Sequence, residues 1–531
     1  MSSWAERQWE QMSWEQRVGQ LLCSGVGEKR ETVERLIAQG HLGGLILYTK
    51  DLPDPAGAAA LTNHFQRLAP VPLLLSADFE AGVGRLVRGA TALPSNMALG
   101  AAGEEELARL GGRITAVEAR ALGIHLIYAP VVDVNVNPAN PIINIRSFGG
   151  DPEEVSHLAV AWIEACQAHG GLATAKHFPG HGDTAVDSHR ALPTVPHGRE
   201  RMERVELRPF RAAIEAGVTA IMTAHIHFPA IDPTPGLPAT LSEKILTGLL
   251  RREMGFRGLI VTDALGMWAI KHNFDPADAV VRAVQAGCDF LLVDDPELSH
   301  TALTEAVREG RVSEERLRDA GLRVLQAKEQ LGLVDRALVD EAAVRERVGT
   351  EEHLQAALRL ARAAVTLLRG EENLEALRRK AKLLALTPPR TRYTGESSSE
   401  RWLEALQTKF PHLEALPLEE QLPDEQMTAA VQRAGKCEAA IFAVFAEPKA
   451  YDESGVRVEE KQADLVAQLA SRVPTVVVAL GSPYTLPRFP AAHVWLCTYS
   501  ECDASLQAAA EVLAGEVTPS GQLPVALSEE R

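Results

Sequence analysis

Residues 258–263 read Gly258-Leu259-Ile260-Val261-Thr262-Asp263, an apolar run of strand length that ends in a carboxylate. A continuous apolar run of this length is typical of a strand buried on both faces of a parallel sheet. On both sides of it, similar runs recur between residues 19 and 293, separated by stretches of helical character. The predicted strands are 20–26, 42–48, 72–77, 127–134, 172–177, 218–224, 258–262 and 289–293.

Eight strands that alternate with helices over roughly 250 to 300 residues are the pattern of a (β/α)8 TIM-type barrel. An open, doubly wound sheet has the same alternation, and the pattern alone does not separate the two folds. Eight is nevertheless the barrel's number, so the α/β class with a barrel is the predicted fold. A long helical stretch is predicted over about 296–329, after the last strand.

A second, smaller domain is predicted from a new series of apolar runs. Residues 332–349 are polar and lack strand character, which places a domain boundary there. Strands are then predicted at 364–368, 382–387, 439–444, 475–480 and 494–498. The predicted organisation is a catalytic barrel over 1–335, a linker over 336–361 and an α/β sandwich domain over 362–531.

The composition excludes several classes of protein. With 46% hydrophobic and 24% charged residues the chain is typical of a globular protein, and its net charge of -17 argues against nucleic-acid or anionic-membrane partners. The N-terminus has no signal-peptide pattern, and no apolar run approaches the roughly 18 residues of a membrane span. The six cysteines are widely spaced, several within apolar runs, which fits reduced thiols and a cytoplasmic location. The oligomeric state is not predicted.

Titratable residues stand at the ends of four predicted strands. In a (β/α)8 barrel the active site lies at the carboxyl ends of the strands. Asp263 could be a nucleophile, a general base or a metal ligand, and equally an N-cap of the next helix. The pair His225 and His227 suggests a metal site at first sight. The full set is Asp78, Glu80, Lys176, His177, His225, His227 and Asp263.

The loop 176–190 concentrates further polar residues. It holds three His, two Asp and one Lys. Asp187 and His189 are two positions apart, so a turn could let the carboxylate orient the imidazole, as in catalytic dyads. A zinc site at His177, His181 and His189 is an alternative, as is a structural loop. From the residue types alone, a structural loop or a metal site is favoured over a dyad.

A family resemblance changes that balance. The stretch Lys176-His177-Phe178-Pro179-Gly180-His181-Gly182-Asp183-Thr184, continued by Asp187-Ser188-His189, closely resembles the signature of glycoside hydrolase family 3 β-N-acetylglucosaminidases of the two-domain form. The resemblance covers nearly the whole chain. Shorter stretches resemble the family in the right order, at 42–47, 78–82, 146–149, 261–267 and 520–525.

The resemblance implies residue roles and a retaining mechanism. Asp263 corresponds to the nucleophile, and His189 with Asp187 to the acid/base dyad. Arg88 is assigned as a second sugar-binding arginine, with Arg85 as the alternative, because Ala81 replaces a glycine and two extra residues follow Asp78. The family needs no metal or cofactor, and His225 corresponds to a pocket wall. The remaining sugar ligands implied are Asp78, Arg146, Lys176 and His177.

The implied substrate is a small saccharide with a terminal β-linked N-acetylglucosamine, usually a muropeptide in cell-wall recycling. A β-glucosidase or β-xylosidase is the nearest alternative, although such relatives take their acid from the second domain. A phosphorylase is another, because a histidine acid/base does not repel phosphate as a carboxylate does. A metal-dependent hydrolase and a carbohydrate-binding relative without activity are the more distant alternatives.

Overall fold

Eight parallel strands form a closed barrel in the first part of the chain. The computed structural model describes residues 3–184, 192–378, 382–448 and 456–528. Neighbouring strands pair in chain order, and the single bridge between Val261 and Phe290 closes the ring between the last two strands. The barrel is therefore confirmed and the open sheet excluded. Its strands are β1 Leu22–Gly25, β2 Gly44–Ile46, β3 Leu74–Ala77, β4 Leu126–Ile127, β5 Leu172–Phe178, β6 Ala220–Thr223, β7 Leu259–Val261 and β8 Leu291–Val293.

Helices surround this barrel, and four of them begin with an Asp-Pro pair. At Asp54-Pro55, Asp151-Pro152, Asp275-Pro276 and Asp295-Pro296 the Asp side chain accepts backbone N–H groups of the first turn. Proline fits the first helical position because its missing N–H has no partner there anyway. The helices are α1 Trp4–Gln11, α2 Trp14–Gly19, α3 Arg30–Gln39, α4 Pro55–Leu68, α5 Asn96–Ala102, α6 Glu105–Ala121, α7 Pro152–Ala168, α8 Arg199–Arg204, α9 Arg208–Glu215, α10 Trp268–Lys271, α11 Pro276–Ala286, α12 Pro296–Arg308 and α13 Glu314–Gln330, with a π-helix at Lys244–Glu253.

Helix α13 covers the amino ends of the strands. Its residues Val324 and Ala327 belong to the same buried cluster as barrel-interior side chains such as Leu74 and Met222. Lys328 Nζ donates to Gln20 Oε1 at 2.7 Å, just before β1. With the amino ends closed by this packing, the carboxyl ends are the face that can hold a site.

One predicted strand differs from the structure in extent. The predicted strand 127–134 is too long, since β4 ends at Ile127; Pro130 has no N–H to continue the ladder, and Asp133 turns to bind the loop after β5. The helical stretch predicted over 296–329 is present and consists of two helices, α12 and α13. They are separated near Gly310, whose φ of +74° is a backbone conformation that ends a helix.

The second domain contains a six-stranded sheet. Its strands are β9 Thr366–Arg369, β10 Leu383–Thr387, β11 Glu414–Pro417, β12 Ala439–Ala446, β13 Thr475–Gly481 and β14 Val494–Cys497. They lie in the order β11-β10-β12-β13-β14-β9 and are parallel except for the antiparallel pair β14 and β9. The short edge strand β11 has no predicted counterpart, because its four residues, which begin with Glu414 and end with Pro417, do not form an apolar run. The helices are α14 Glu351–Ala364, α15 Glu371–Leu377, α16 Ser398–Lys409, α17 Asp424–Ala434, α18 Glu460–Ala470 and α19 Asp503–Ala514.

The second domain packs on the barrel through specific hydrogen bonds. Ser95 Oγ donates to the Tyr499 carbonyl at 2.7 Å, and Asn135 Nδ2 donates to the Tyr484 hydroxyl at 2.7 Å. Near the C-terminus, Pro524 accepts a bond from Gly150 N at 3.0 Å. These contacts join the two domains beside the carboxyl-end face of the barrel.

Two further predictions concern the whole chain. All six cysteines are buried free thiols, as the apolar runs around them indicate. Among the described residues, no helix is long and apolar enough to cross a membrane.

Candidate active site

Lys176 is the centre of a polar cluster at the carboxyl ends of β3 and β5. Its side chain is 2% exposed, and its Nζ lies 2.7 Å from Asp78 Oδ1 and 2.6 Å from Glu80 Oε1. Burial alone would lower the pKa of Lys176, but the two carboxylates outweigh it and raise the pKa above the usual value. Lys176 is therefore a fixed cation. Asp78, with 41% of its side chain exposed, is the member of the cluster open to a ligand.

Arg146 completes the cluster from the short 3-10 helix Asn144–Arg146. Its Nε and Nη2 bind the two oxygens of Glu80 at 2.8 and 2.9 Å, a bidentate pair. Burial would raise the pKa of Glu80, but Arg146 and Lys176 together hold it well below the usual value. Glu80 is thus an ionised carboxylate that binds both Arg146 and Lys176 and so fixes the distance between these two cations.

Asp133 orients the histidines of the loop after β5. It is fully buried, its Oδ2 lies 2.8 Å from His177 Nδ1, and its Oδ1 accepts the His181 N–H at 2.6 Å. Burial would raise the pKa of Asp133, but His177 and His181 hold it below the usual value. Because Nδ1 of His177 is bound to Asp133, the Nε2 atom of the same ring faces Arg146, whose Nη2 lies 3.5 Å away.

Asp263 stands two residues after the end of β7. It is half-buried, and its Oδ1 accepts the Ala264 N–H at 2.8 Å. The next helix, α10, begins after Met267, so the alternative role of Asp263 as its N-cap does not hold. Burial, followed by the negative charges of Asp78 and Asp263 among others, raises the pKa of Tyr48. Tyr48 directly follows the loop residue after β2, at the same face of the barrel as Asp78 and Asp263.

The predicted dyad, Asp187 and His189, lies outside the described residues. The loop that leads to it is held tightly. Asn140 Nδ2 donates to the His181 and Gly182 carbonyls at 2.9 and 3.1 Å, and Gly182 lies so close to the Val134 carbonyl that no Cβ would fit. The chain therefore enters the dyad segment from a fixed position.

The two candidate arginines of the loop after β3 lie in different places. Arg88 is exposed. Arg85 lines the same small cavity as Glu80 and Arg146, pairs with the buried Glu447 of the second domain at 3.1 Å, and lies over the Tyr393 ring at 5.2 Å. Which of the two contacts a sugar stays a prediction.

His225, the first of the two histidines after β6, is held by neighbouring residues. The ring of His225 lies 2.7 Å from Thr240 Oγ1 and 2.9 Å from the Ala264 carbonyl, beside Asp263. Among the described residues, the group spaced to hold a metal is elsewhere, at Asp183, His197 and Glu206. The predicted zinc site at His177, His181 and His189 includes a residue outside the described ranges, and His181 faces Thr184 at 2.9 Å.

Three residues of the site, Glu80, Asp133 and Tyr48, have no role in the sequence-based prediction. Glu80 stands at a strand end, and its place in the 78–82 motif is a usable signal. Asp133 was hidden in an apolar run interpreted as a strand, although a lone carboxylate in such a run is itself unusual. Tyr48 follows β2 and carries no local pattern that marks it.

Taken together, the carboxyl-end face of the barrel carries fixed cations, an exposed carboxylate and a second carboxylate at the end of β7. Such a set binds hydroxyl groups from several sides and offers a nucleophile beside them. The class defined in this way is a (β/α)8-barrel enzyme acting on a polyhydroxylated substrate.

Comparison with known families agrees with this class. Residues 13–327 match the glycosyl hydrolase family 3 N terminal domain, and residues 261–531 match the glycosyl hydrolase family 3 C-terminal domain. The chain belongs to glycoside hydrolase family 3 and is a glycoside hydrolase. The resemblance noted in the sequence is thereby confirmed.

Individual relatives cover much of the chain. A "Beta-hexosaminidase A" of Pseudoalteromonas piscicida is 35% identical to this chain. The matched region covers 67% of this chain and 64% of that protein. A "Beta-N-acetylglucosaminidase/beta-glucosidase" of Cellulomonas fimi is 30% identical over 98% of this chain and 95% of its own length. The solved structure of a family 3 β-N-acetylglucosaminidase from Paenibacillus sp. str. FPU-7 is 35% identical, with a TM-score of 0.89 over 98% of this chain and 100% of that one.

Proposed function

We propose that this glycoside hydrolase is a retaining exo-β-N-acetylglucosaminidase, which removes β-linked N-acetylglucosamine from non-reducing ends. The observation that carries the proposal is the cluster of Asp78, Lys176 and Arg146 on the same barrel face as Asp263. The names of the relatives that span nearly the whole chain support the choice of sugar. The segment with Asp187 and His189, which continues the motif of residues 176–184, supports an acid/base carried by the barrel itself.

The proposed reaction is a double displacement. The Asp263 carboxylate attacks the anomeric carbon, the glycosidic bond breaks, and protonated His189 gives its proton to the leaving oxygen. Water then attacks the glycosyl–Asp263 ester, neutral His189 takes its proton, and the sugar leaves with its original configuration. An imidazole suits both roles because its ordinary pKa is near neutrality. Asp187 favours the imidazolium and fixes the tautomer.

The sugar-binding roles follow from the cluster. Asp78 accepts hydroxyl protons, while Lys176, Arg146 and His177 Nε2 bind hydroxyl oxygens or donate to them. Because Glu80 and Asp133 hold these groups before the substrate arrives, little reorganisation is needed as charge develops at the ring. Arg88 stays a predicted ligand on the family pattern, and the position of Arg85 beside Glu80 and Arg146 supports the alternative.

We also propose a cytoplasmic location and muropeptide fragments as the natural substrates, in cell-wall recycling. The six buried free thiols support a reducing compartment. The family resemblance supports muropeptides as the natural substrates.

A panel of aryl β-glycosides tests the proposed sugar. We expect the 4-nitrophenyl N-acetyl-β-glucosaminide to be cleaved much faster than the β-glucoside and β-xyloside, with the β-anomer released first when followed by NMR. Equal or faster cleavage of the glucoside would contradict the assignment. The same reaction run with phosphate should give free sugar and no sugar 1-phosphate, which separates hydrolysis from phosphorolysis. Full activity after a chelator excludes a required metal.

Two matched variants test which domain supplies the acid. On a substrate with a poor leaving group, His189→Ala should lower kcat by about 10² to 10⁴, the range for losing a general acid. Glu453→Gln, in the second domain, should leave the rate nearly unchanged. Glu453 belongs to the polar segment 451–462, whose carboxylates are the candidates for an acid supplied by the second domain, and it lies outside the described residues. Glu459 and Glu460 of the same segment are exposed at the start of α18. The opposite result would move the acid to the second domain.

A further inference from the structure

A four-residue cluster joins the two chain stretches that flank residues 185–191. It consists of Asp183, His197, Arg201 and Glu206, and we name it the Asp183 cluster. We infer that His197, Arg201 and Glu206 are positioning residues for the general acid, because they fasten both ends of segment 185–191 to one another. The inference depends on the proposed function, since it assumes that His189 in that segment transfers the proton.

The contact between Asp183 and His197 joins the two ends of the segment. Asp183 precedes it and His197 follows it, and Asp183 Oδ2 lies 2.6 Å from His197 Nε2. Both side chains are partly exposed, at 21% and 27%. Among the described residues, Asp183 and His197 therefore form a direct side-chain bond between the chain before the segment and the chain after it.

Arg201 and Glu206 hold this pair to the barrel. Arg201 Nη2 lies 3.4 Å from Asp183 Oδ2 and 3.4 Å from Glu206 Oε1. Glu206 is 4% exposed and packs against Gly180 of the motif, where an added Cβ would lie 2.8 Å from Glu206 Cβ. Burial raises the pKa of Glu206, and Arg201 opposes that rise.

Two atoms of this pair remain without a partner among the described residues. They are Glu206 Oε2 and Arg201 Nε, and both are buried. One is an acceptor and the other a donor, and the same two side chains already meet through Oε1 and Nη2.

The inner side of the loop is held separately. Asp133 and Asn140 bind residues 181 and 182 from within the barrel. After the segment, the backbone carbonyl of His227 accepts the Val195 N–H at 3.0 Å, and the backbone N–H of His227 donates to the Pro193 carbonyl at 2.9 Å. The Asp183 cluster adds a direct link between these two flanks, and because each flank has its own contacts with the barrel, its loss should leave the barrel folded.

The same side chains could be interpreted as a cation site, because their ligand atoms lie within 4.8 Å of one another. Arg201 argues against it. Its guanidinium is close to both carboxylates and already supplies the positive charge that a metal would bring. A divalent ion would have to displace that group.

The test uses leaving-group dependence, which a general loss of structure would not produce. We expect His197→Ala to slow cleavage of methyl N-acetyl-β-glucosaminide about 10-fold to 100-fold, since misplacing a catalytic group by about 1 Å can cost 10²-fold. Cleavage of the 4-nitrophenyl glycoside, whose leaving group needs little protonation, should change less than about threefold. His197→Gln should restore part of the rate, because its amide nitrogen can donate to Asp183 as Nε2 does.

His157→Ala is the control, because His157 on α7 forms an exposed histidine–carboxylate pair with Glu105 on α6, at 3.5 Å. It should change neither rate. Equal slowing of both substrates by His197→Ala, or no slowing of either, would overturn the inference. If His197→Ala does not fold, Arg201→Lys provides the same comparison. Loss of activity with a chelator, restored by Zn²⁺ alone, would show a metal site instead.

His189→Ala separates failure of the inference from failure of the proposed function. If His189→Ala shows the leaving-group dependence and the cluster variants do not, only the positioning role is wrong. If His189→Ala lacks the dependence, the acid itself is elsewhere and the proposed function fails first.

Discussion

Asp263→Ala should reduce turnover by roughly 10³-fold or more while the protein stays folded. A residue that forms the covalent bond to the sugar cannot be replaced by its neighbours, and removing a nucleophile is among the costliest changes in an active site. The fold should survive because Asp263 is half-buried at the open end of the barrel and bonds to the adjacent Ala264 N–H. Steady-state rates and a thermal unfolding curve measure both effects.

Azide makes this prediction sharper. In Asp263→Ala the space left by the carboxylate should admit azide, which attacks the anomeric carbon directly and gives the α-glycosyl azide. Rescue with that anomer identifies the missing group as the nucleophile on the face opposite the leaving oxygen. A variant that retains more than a few per cent of the activity would place the nucleophile at another residue.

Glu80→Gln should lower the free energy of unfolding by about 3–5 kcal/mol, the range for breaking a buried ion pair from one side. The change leaves Arg146 and Lys176 as two neighbouring cations without the carboxylate that binds both. Catalytic efficiency should fall as well, because the two cations that we propose to contact the sugar lose their fixed positions. Urea unfolding at pH 7, together with kcat/KM, measures the change.

The pH dependence of that difference has a definite sign. The pKa of Glu80 is lower in the folded protein than in the unfolded chain, so its stabilisation is present above the unfolded value of about 4.3 and is lost as the pH falls through the folded value. The gap between wild type and Glu80→Gln should therefore be full at pH 7 and smaller in strong acid. A constant gap would mean that Glu80 is not ionised in the folded protein.

Glu153→Gln is the matched control for Glu80→Gln. Glu153 also forms a bidentate pair, with Arg208 at 2.7 and 2.8 Å, but it is exposed on the surface. Exposed ion pairs contribute little to stability. No measurable change is expected, and an effect as large as that of Glu80→Gln would show that burial is not the cause.

Sequence patterns predicted the barrel because each core strand is apolar on both faces and ends in a polar residue at the same edge. Lys176, His177 and Asp78 could be placed in this way, since a parallel strand fixes where its carboxyl end lies. Asp133 could not, because it is in an irregular segment after β4 whose course depends on Pro130 and on the loop after β5. Its partner histidine is 44 positions away in the sequence, and only the fold brings them together.

Loop length limited the other assignments. Arg85 and Arg88 are three positions apart, and a change of register in the loop after β3 decides which one is directed toward Glu80. The contact of Arg85 with Glu447 depends on the packing of the second domain, which no local pattern encodes. The edge strand β11 could not be predicted for the same reason, since its pairing with β10 depends on tertiary structure rather than on its own four residues.

The charges around Glu80 have a consequence for the second substrate of the reaction. Four carboxylates of this face, Asp78, Glu80, Asp133 and Asp263, lie with the cations Lys176 and Arg146, and Arg85 beside them is paired with Glu447. Negative charge stabilises the positive charge that develops on a sugar ring, and it repels an approaching anion. Water carries no charge and enters without that cost. We therefore expect the proposed pocket to favour water over phosphate as the acceptor, so that the ion pairs that hold the donor sugar would also discriminate between the molecules that can take it away.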